Sequence, residues 1–217
     1  MASQTEENYL KVLFLTADKN GETAITDLST TLQVSAPTAN SMVKNLSEKG
    51  LVNYEKYKPL SLTAKGKKEA ALIIRKHRLT EMFLVQQMGF GWEEVHQIAE
   101  QIEHIQSPDF FDRMDKLLGY PTVDPHGSPI PDKNGKINTQ PGIKLSECKT
   151  GDTVTITALT HSSPDFLKYL NSKNLSLGLK LKVISVEAFD GSMTIGYSKH
   201  APEVFSHTVC ERLLVKK

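Results

Sequence analysis

The chain of 217 residues has little that would commit it to a reactive or stapled scaffold. It holds two cysteines, Cys148 and Cys210, 62 positions apart and without CxxC spacing, which excludes a disulfide framework and a thiolate zinc site; both are expected as ordinary buried or half-buried thiols. Tryptophan occurs once, and no apolar run approaches the roughly 18 residues of a membrane span. The polar start "MASQTEENYL" lacks the basic head and apolar stretch of a secretion signal, so the expected location is the cytoplasm. Neither sign of charge dominates: the formal net charge is +1.

What is present is unevenly distributed. Residues 1–78 carry 12 Lys and Arg against 8 Asp and Glu, residues 79–120 carry 2 against 8, and residues 121–217 carry 12 against 9. A mildly basic head suits a polyanion partner, and an acidic middle suits either solvation or cations.

The head reads as helix, helix, turn, helix and a two-stranded wing. Tyr9, Leu10, Val12, Leu13 and Phe14 give helical periodicity to a first helix over Thr5 to Ala17. Thr26 is placed to cap "DLSTTLQ", and Ser35 to cap "APTANSMVKNLSEKG", with Pro37 in its first turn and Gly50 as its stop. "LVNYEKYKPLSLT" follows as two strands about a Lys-rich turn. This order defines a winged helix-turn-helix, whose second paired helix is shaped for a major groove. Ser35, Pro37, Thr38, Ser41 and Lys44 stand at its N-terminal half, with Lys56 and Lys58 on the wing; these are the predicted contacts to double-stranded DNA. The bland alternative is that Ser35 and Thr38 only cap a helix.

A long helix from Thr63 to Gly89, a helix over "WEEVHQIAEQIEHI", and another capped by Ser107 with Pro108 in its first turn come next. Residues 120–142 hold five prolines and read as a linker. "DTVTITAL", "LKLKVISVEAF" and "GSMTIGYS" alternate as strands, with a short helix at "SPDFLKYLNSK", predicting a small barrel of about five strands. The predicted class is mainly α with a C-terminal β domain: a winged helix-turn-helix at 1–72, a helical domain at 73–140 with candidate metal-binding and dimerisation surfaces, and a small β barrel at 143–217.

The middle segment carries the chemistry. His77 and Glu81 are four apart on one helix face, and His96, Glu100, Glu103 and His104 fall within an arc of about 100° on the next helix. Val95, Ile98, Ala99, Ile102 and Ile105 occupy its opposite side. Charged helix faces are commonly just solvated. Here, however, imidazole is paired with carboxylate twice in an acidic block, the ligand mix that suits Mn, Fe, Co, Ni and Zn. No HExxH occurs, which disfavours a zinc hydrolase. A metal-independent winged-helix regulator is the competing reading, and a metalloenzyme a weaker one.

"APTANSMVKNLSEKGLV", "LTAKGKKEA", "RKHRLTEMFL", "VHQIAEQIEH" and "PHGSPIP", in that order, resemble the diphtheria-toxin-repressor family of iron- and manganese-dependent transcriptional repressors, over the whole chain. The resemblance implies a homodimer that binds a palindromic operator with Mn(II) or Fe(II) as corepressor, and a C-terminal SH3-like, FeoA-type domain. It implies an ancillary site of His77, Glu81 and His96, completed from "HSSPDF" at Asp165, with Ser162 as a further candidate there, and a primary site of Glu100, Glu103 and His104, completed from the first helix at Asn8, with Glu7 as a neighbouring substitute. Asn8 departs from the Met of iron-responsive members and the Asp of manganese-responsive ones. Glu100 follows the manganese type, and Lys11 stands where some manganese members carry an acid.

Overall fold

The computed structural model describes residues 3–138, 142–198 and 201–217. They form two compact units. One comprises Met1–Thr80, Ala99–Thr122 and Ile130–Asn138; the other comprises Glu81–Ile98, Val123–Pro129 and Thr139–Lys217.

In the first unit, α1 (Gln4–Thr16) opens with a reciprocal capping box between Ser3 and Glu6. The helix pair is α2 (Ile25–Thr31) and α3 (Ala36–Glu48); Ser35 caps α3 as expected, its Oγ accepting from Thr38 N at 3.3 Å. Thr26 does not cap α2, which begins one residue before it behind Ala24; there the backbone has already turned helical, so Thr26 sits inside the first turn. The wing holds three strands where two were expected. β1 (Glu22–Thr23), β2 (Val52–Asn53) and β3 (Leu60–Leu62) pair in the order β1-β3-β2. Leu10, Leu28, Ala39, Val43, Leu46 and Leu60 are almost wholly buried together and fix α3 against the wing.

Helix α4 (Ala64–Met88) matches its predicted length, and α6 (Pro108–Leu117) has Ser107 as its cap. The helix between them is shorter than its periodicity suggested. α5 covers only His96–Ile102, and Glu103 and His104 lie in the turn after it. Glu103 N still bonds Ala99 O at 2.9 Å, so the turn keeps helical geometry for one residue.

Residues 120–138 are not a passive linker. Three segments share one local design: Asp18-Lys-Asn-Gly-Glu22, Asp124-Pro-His-Gly-Ser128 and Asp132-Lys-Asn-Gly-Lys136. In each, the Asp Oδ1 accepts from the backbone N–H groups two and four residues on, at 2.8 and 2.9 Å, and the Gly has positive φ. Such Asx turns satisfy their own backbone and need no linker freedom. Arg75 further ties the segment down, donating to Pro131 O at 2.7 Å and pairing with Asp115 at 2.5 Å. Residues 139–141, including Pro141 of the predicted linker, lie outside the described set.

The second unit contains an antiparallel sheet of six strands rather than about five. β4 (Ile143–Lys144), β5 (Thr153–Leu159), β6 (Lys180–Val186), β7 (Met193–Tyr197), β8 (Glu203–Phe205) and β9 (Leu213–Lys216) run in the order β4-β9-β5-β6-β7-β8. Beyond the three segments named from sequence, β4, β8 and β9 add to the sheet; in β9 Leu213 and Val215 alternate inward directly after α8 (His207–Arg212). With α7 (Pro164–Ser172), the sheet encloses a core that includes Cys148, Phe166, Leu181, Phe205 and Cys210.

Candidate functional site

Two constellations of carboxylate and imidazole stand out, one in each unit. In the first, α1 brings Glu7 and Lys11 to the Glu100–His104 segment. Lys11 Nζ donates at 2.6 Å to both Glu100 Oε1 and Glu103 Oε1, and His77 Nδ1 donates to Glu103 Oε2 at 2.5 Å. Glu103 is completely buried. Burial, the largest single influence, pushes its carboxyl up; the hydrogen bond from His77 and the charges of Lys11 and His77 outweigh it and hold the group below its ordinary range.

His104 is oriented by Glu7, whose Oε2 accepts from Nδ1 at 2.6 Å while Oε1 accepts from Gln106 at 2.8 Å. This fixes the tautomer: Nδ1 carries the proton and Nε2 carries the lone pair. That Nε2 is buried without a hydrogen bond, and so is the side-chain oxygen of Asn8. A buried acceptor left without a donor costs about 1–3 kcal/mol, so each of the two calls for a partner. His104 Nε2 lies 3.6 Å from Glu103 Oε1, beyond hydrogen-bond range. Two ligands about 2.1–2.2 Å from one ion stand from about 3 Å apart at right angles to about 4.3 Å in opposition. The spacing of His104 Nε2 and Glu103 Oε1 therefore fits two ligands of one divalent cation. Glu7, read from sequence as a substitute for Asn8, instead positions the imidazole.

The second constellation was only half legible. Glu81 and His96 were expected, and Nδ1 of His96 lies 3.4 Å from Glu81 Oε1. Asp124 and His126, from the segment read as linker, complete it: Glu81, Asp124 and His126 are all buried and offer ligand atoms within 4.8 Å of one another. His126 Nε2 donates to Trp92 O at 2.9 Å, which leaves Nδ1 as the lone-pair nitrogen, 3.9 Å from Glu81 Oε2. The Trp92 ring stacks on the imidazole at 5.9 Å. Asp124 uses Oδ1 to close its own loop, and Leu159 N donates to His126 O at 2.9 Å, seating that loop on β5. The signal available in the sequence was "DPHGS" itself, an Asp and a His two apart in an Asx turn.

His77 shares a face of α4 with Glu81, as their spacing requires, and its resolved partner is Glu103. Asp165 sits exposed in the first turn of α7, and Ser162 is exposed before it; among the described residues neither belongs to a group able to hold a metal. The predicted division of the acidic helix into apolar and ligand faces also needs correction. Val95 and Ala99 are buried, yet Ile105 is 40% exposed and Glu103 is the residue taken wholly inside.

At the head, Ser35, Pro37, Thr38, Ser41 and Lys44 are exposed on α3, and Lys56 and Lys58 on the wing. A groove of about 550 Å³ runs between Asn40 and Lys44 on one side and Tyr54–Leu60 on the other. Lys58 is paired with Glu55 at 2.8 Å, and Lys56 lies over the Tyr57 ring at 4.8 Å.

A winged helix-turn-helix joined to buried carboxylate–imidazole centres defines the class of metal-dependent DNA-binding regulators. Matches to known proteins agree. Residues 1–60 match the "Iron dependent repressor, N-terminal DNA binding domain" model, residues 63–132 the "Iron dependent repressor, metal binding and dimerisation domain" model, and residues 143–204 the FeoA domain. The Iron-dependent repressor IdeR of Mycobacterium tuberculosis is 29% identical over 223 residues, 98% of this chain and 97% of that protein. The HTH-type transcriptional regulator MntR of Bacillus velezensis is 31% identical over 120 residues, 55% of this chain and 84% of that protein. A solved manganese-dependent transcriptional repressor in complex with manganese superimposes with TM-score 0.86 at 33% identity, covering 97% of this chain and 98% of its own. The chain belongs to the diphtheria-toxin-repressor family of metal-dependent transcriptional repressors, a family of regulators and not of enzymes.

Proposed function

We propose that the protein represses transcription by binding a palindromic operator as a homodimer when Mn(II) or Fe(II) is bound at Asn8, Glu100, Glu103 and His104. The single observation that carries this is the buried, unsatisfied His104 Nε2 at 3.6 Å from an oxygen of the buried Glu103 carboxylate; Asn8 Oδ1 is likewise buried without a hydrogen bond. The ion supplies the divalent charge that these groups lack. The protein's own residues do the rest. Glu7 holds the His104 imidazole in the liganding tautomer, His77 braces the far oxygen of Glu103, and Asn8 extends from α1, so that occupancy clamps α1 against the turn after α5. If α1 is better placed in the DNA-competent arrangement, binding shifts the population toward it. A dimer would present two α3 helices at successive major grooves, about 34 Å apart.

Glu81, Asp124 and His126, with His96 beside Glu81, form the proposed ancillary site; among the described residues Asp165 belongs to no candidate metal group. Both sites are rich in oxygen and without sulfur, which favours Mn(II) over Fe(II). The dimer surface is proposed at Phe110, Leu117 and Tyr120, large apolar side chains left exposed. No described helix is long and apolar enough to cross a membrane.

The test is operator DNA selected from a random duplex pool, followed by mobility shifts with Mn(II), with anaerobic Fe(II) and with chelator. Retardation should rise with either metal and vanish with chelator. Equal retardation in all three conditions would sink the metal-responsive reading and leave a metal-independent winged-helix regulator. Glu103→Ala and His104→Ala should lose metal activation, His77→Ala less so.

A further inference from the structure

Glu103 and its neighbours offer more donors than one ion explains. His104 Nε2 lies 3.6 Å from Glu103 Oε1, and Asn8 Oδ1 is buried without a hydrogen bond. His77, Glu100 and Glu103 form a second group, whose ligand atoms by themselves are close enough to hold a metal. That second position already has a cation beside it. Lys11 Nζ bridges Glu100 Oε1 and Glu103 Oε1 at 2.6 Å each, and the Lys11 side chain is 8% exposed.

We propose that the Lys11 ammonium is a tethered cation that fills the His77–Glu100–Glu103 position, so that this cluster takes a single divalent ion, on its Asn8–His104 side. The inference rests on the site reading above and goes beyond it by assigning a role to Lys11. A buried ammonium needs carboxylate partners to offset its lost hydration, and two buried or half-buried carboxylates need a cation; each requirement meets the other here. The arrangement has a consequence for affinity. Glu103 Oε1 is shared between the ammonium and the ion, so the positive charge of Lys11 stands close to the ion and opposes its binding, raising the metal concentration at which the site fills. Arginine would preserve the charge, whereas Met would empty the position and leave His77, Glu100 and Glu103 to recruit a second ion from solution.

The experiment is a count of Mn(II) per chain by equilibrium dialysis and elemental analysis, with Mn(II) electron paramagnetic resonance on the same samples. Lys11→Met should bind one more ion per chain than wild type and show the spin-coupled spectrum of two ions bridged by a carboxylate. Lys11→Arg should keep the wild-type count and an uncoupled spectrum. An unchanged count in Lys11→Met would overturn the proposal. A second measurement uses the unaltered protein: Lys11 should stay protected from an amine-acylating reagent, read by mass spectrometry, both with chelator and with saturating Mn(II). If loading exposes Lys11, the ion displaces it and the proposal fails, whether or not the Met variant folds. A His104→Ala protein that retains the wild-type count would overturn the underlying site assignment, and the role of Lys11 with it.

Discussion

Gly127→Ala tests how the Asp124 loop presents its ligands. Gly127 has φ +85°, and a Cβ there would lie 2.3 Å from Thr157 O and 2.5 Å from Ala158 Cα, both backbone atoms of β5. That stretch of β5 is where its pairing with β9 slips by a residue, between Ile156 and Ala158, so the strand cannot simply slide away without losing its register. The positive φ costs about 1–2 kcal/mol and the overpacking about 1–3 kcal/mol. Together they predict about 3 kcal/mol, or a drop in melting temperature of about 6–12 °C for a chain of this size if unfolding is cooperative. Gly21→Ala supplies the control. Gly21 occupies the same place in the same type of loop, at φ +78°, but its Cβ would meet only Lys67 Nζ at 3.9 Å. It should show the conformational cost alone, about 1–2 kcal/mol. Calorimetry of both variants in chelator measures the difference, and isothermal titration with Mn(II) should show Gly127→Ala alone losing an ion, because His126 moves with the loop. If the two variants melt together, or Gly127→Ala keeps the wild-type isotherm, the loop does not hold the site as described.

Three further outcomes follow from the geometry. Lys44→Ala, on exposed α3, should weaken operator binding at all sequences and reduce the slope of log K against log salt by about 1; an unchanged slope would remove Lys44 from the phosphate contacts. The Glu103 carboxyl is held below its ordinary value of 4.5 in the folded protein, so its contribution to stability is complete above that value and is lost as pH falls below it toward the folded pKa. In chelator, wild type should therefore lose stability relative to Glu103→Gln as pH is lowered through this range, and parallel curves would show that the pairing contributes nothing. Burial pushes the Cys210 thiol up to about 12 and also raises Cys148, so neither should react with iodoacetamide at pH 8 until the protein is unfolded; rapid labelling of the native protein would contradict their buried placement.

Much of this was legible because local rules suffice where local interactions decide. Ser35 and Ser107 cap their helices because a hydroxyl followed by a helical run satisfies orphan N–H groups whatever lies around it. The length of α4, the wing and the alternation of β5 and β6 follow in the same way. Glu100, Glu103 and His104 could be nominated as one cluster from spacing, since residues three and four apart on a helix meet anyway. Thr26 shows the limit even of local reasoning, for the cap rule does not say which of several candidates the chain will use.

What spacing could not supply is which residues from distant segments arrive at the same point. The sequence marks Asp124-Pro-His-Gly-Ser as a turn, but identical turns at Asp18 and Asp132 hold no candidate cluster among the described residues; only packing against β5 and the Trp92 carbonyl makes His126 a ligand-like nitrogen. Likewise Glu7 and Asn8 are adjacent in sequence and chemically close to interchangeable as donors. The tertiary structure separates their roles, turning Glu7 onto Nδ1 of His104 and leaving the Asn8 oxygen buried and unpaired. Sequence alone thus determined the class of protein and the chemical type of its site, because periodicity, caps and residue types are local properties. Which donor atoms converge, and that a lysine already stands among them, were decided by the burial of side chains some 90 residues apart, as in the Lys11–Glu100 and Lys11–Glu103 pairs.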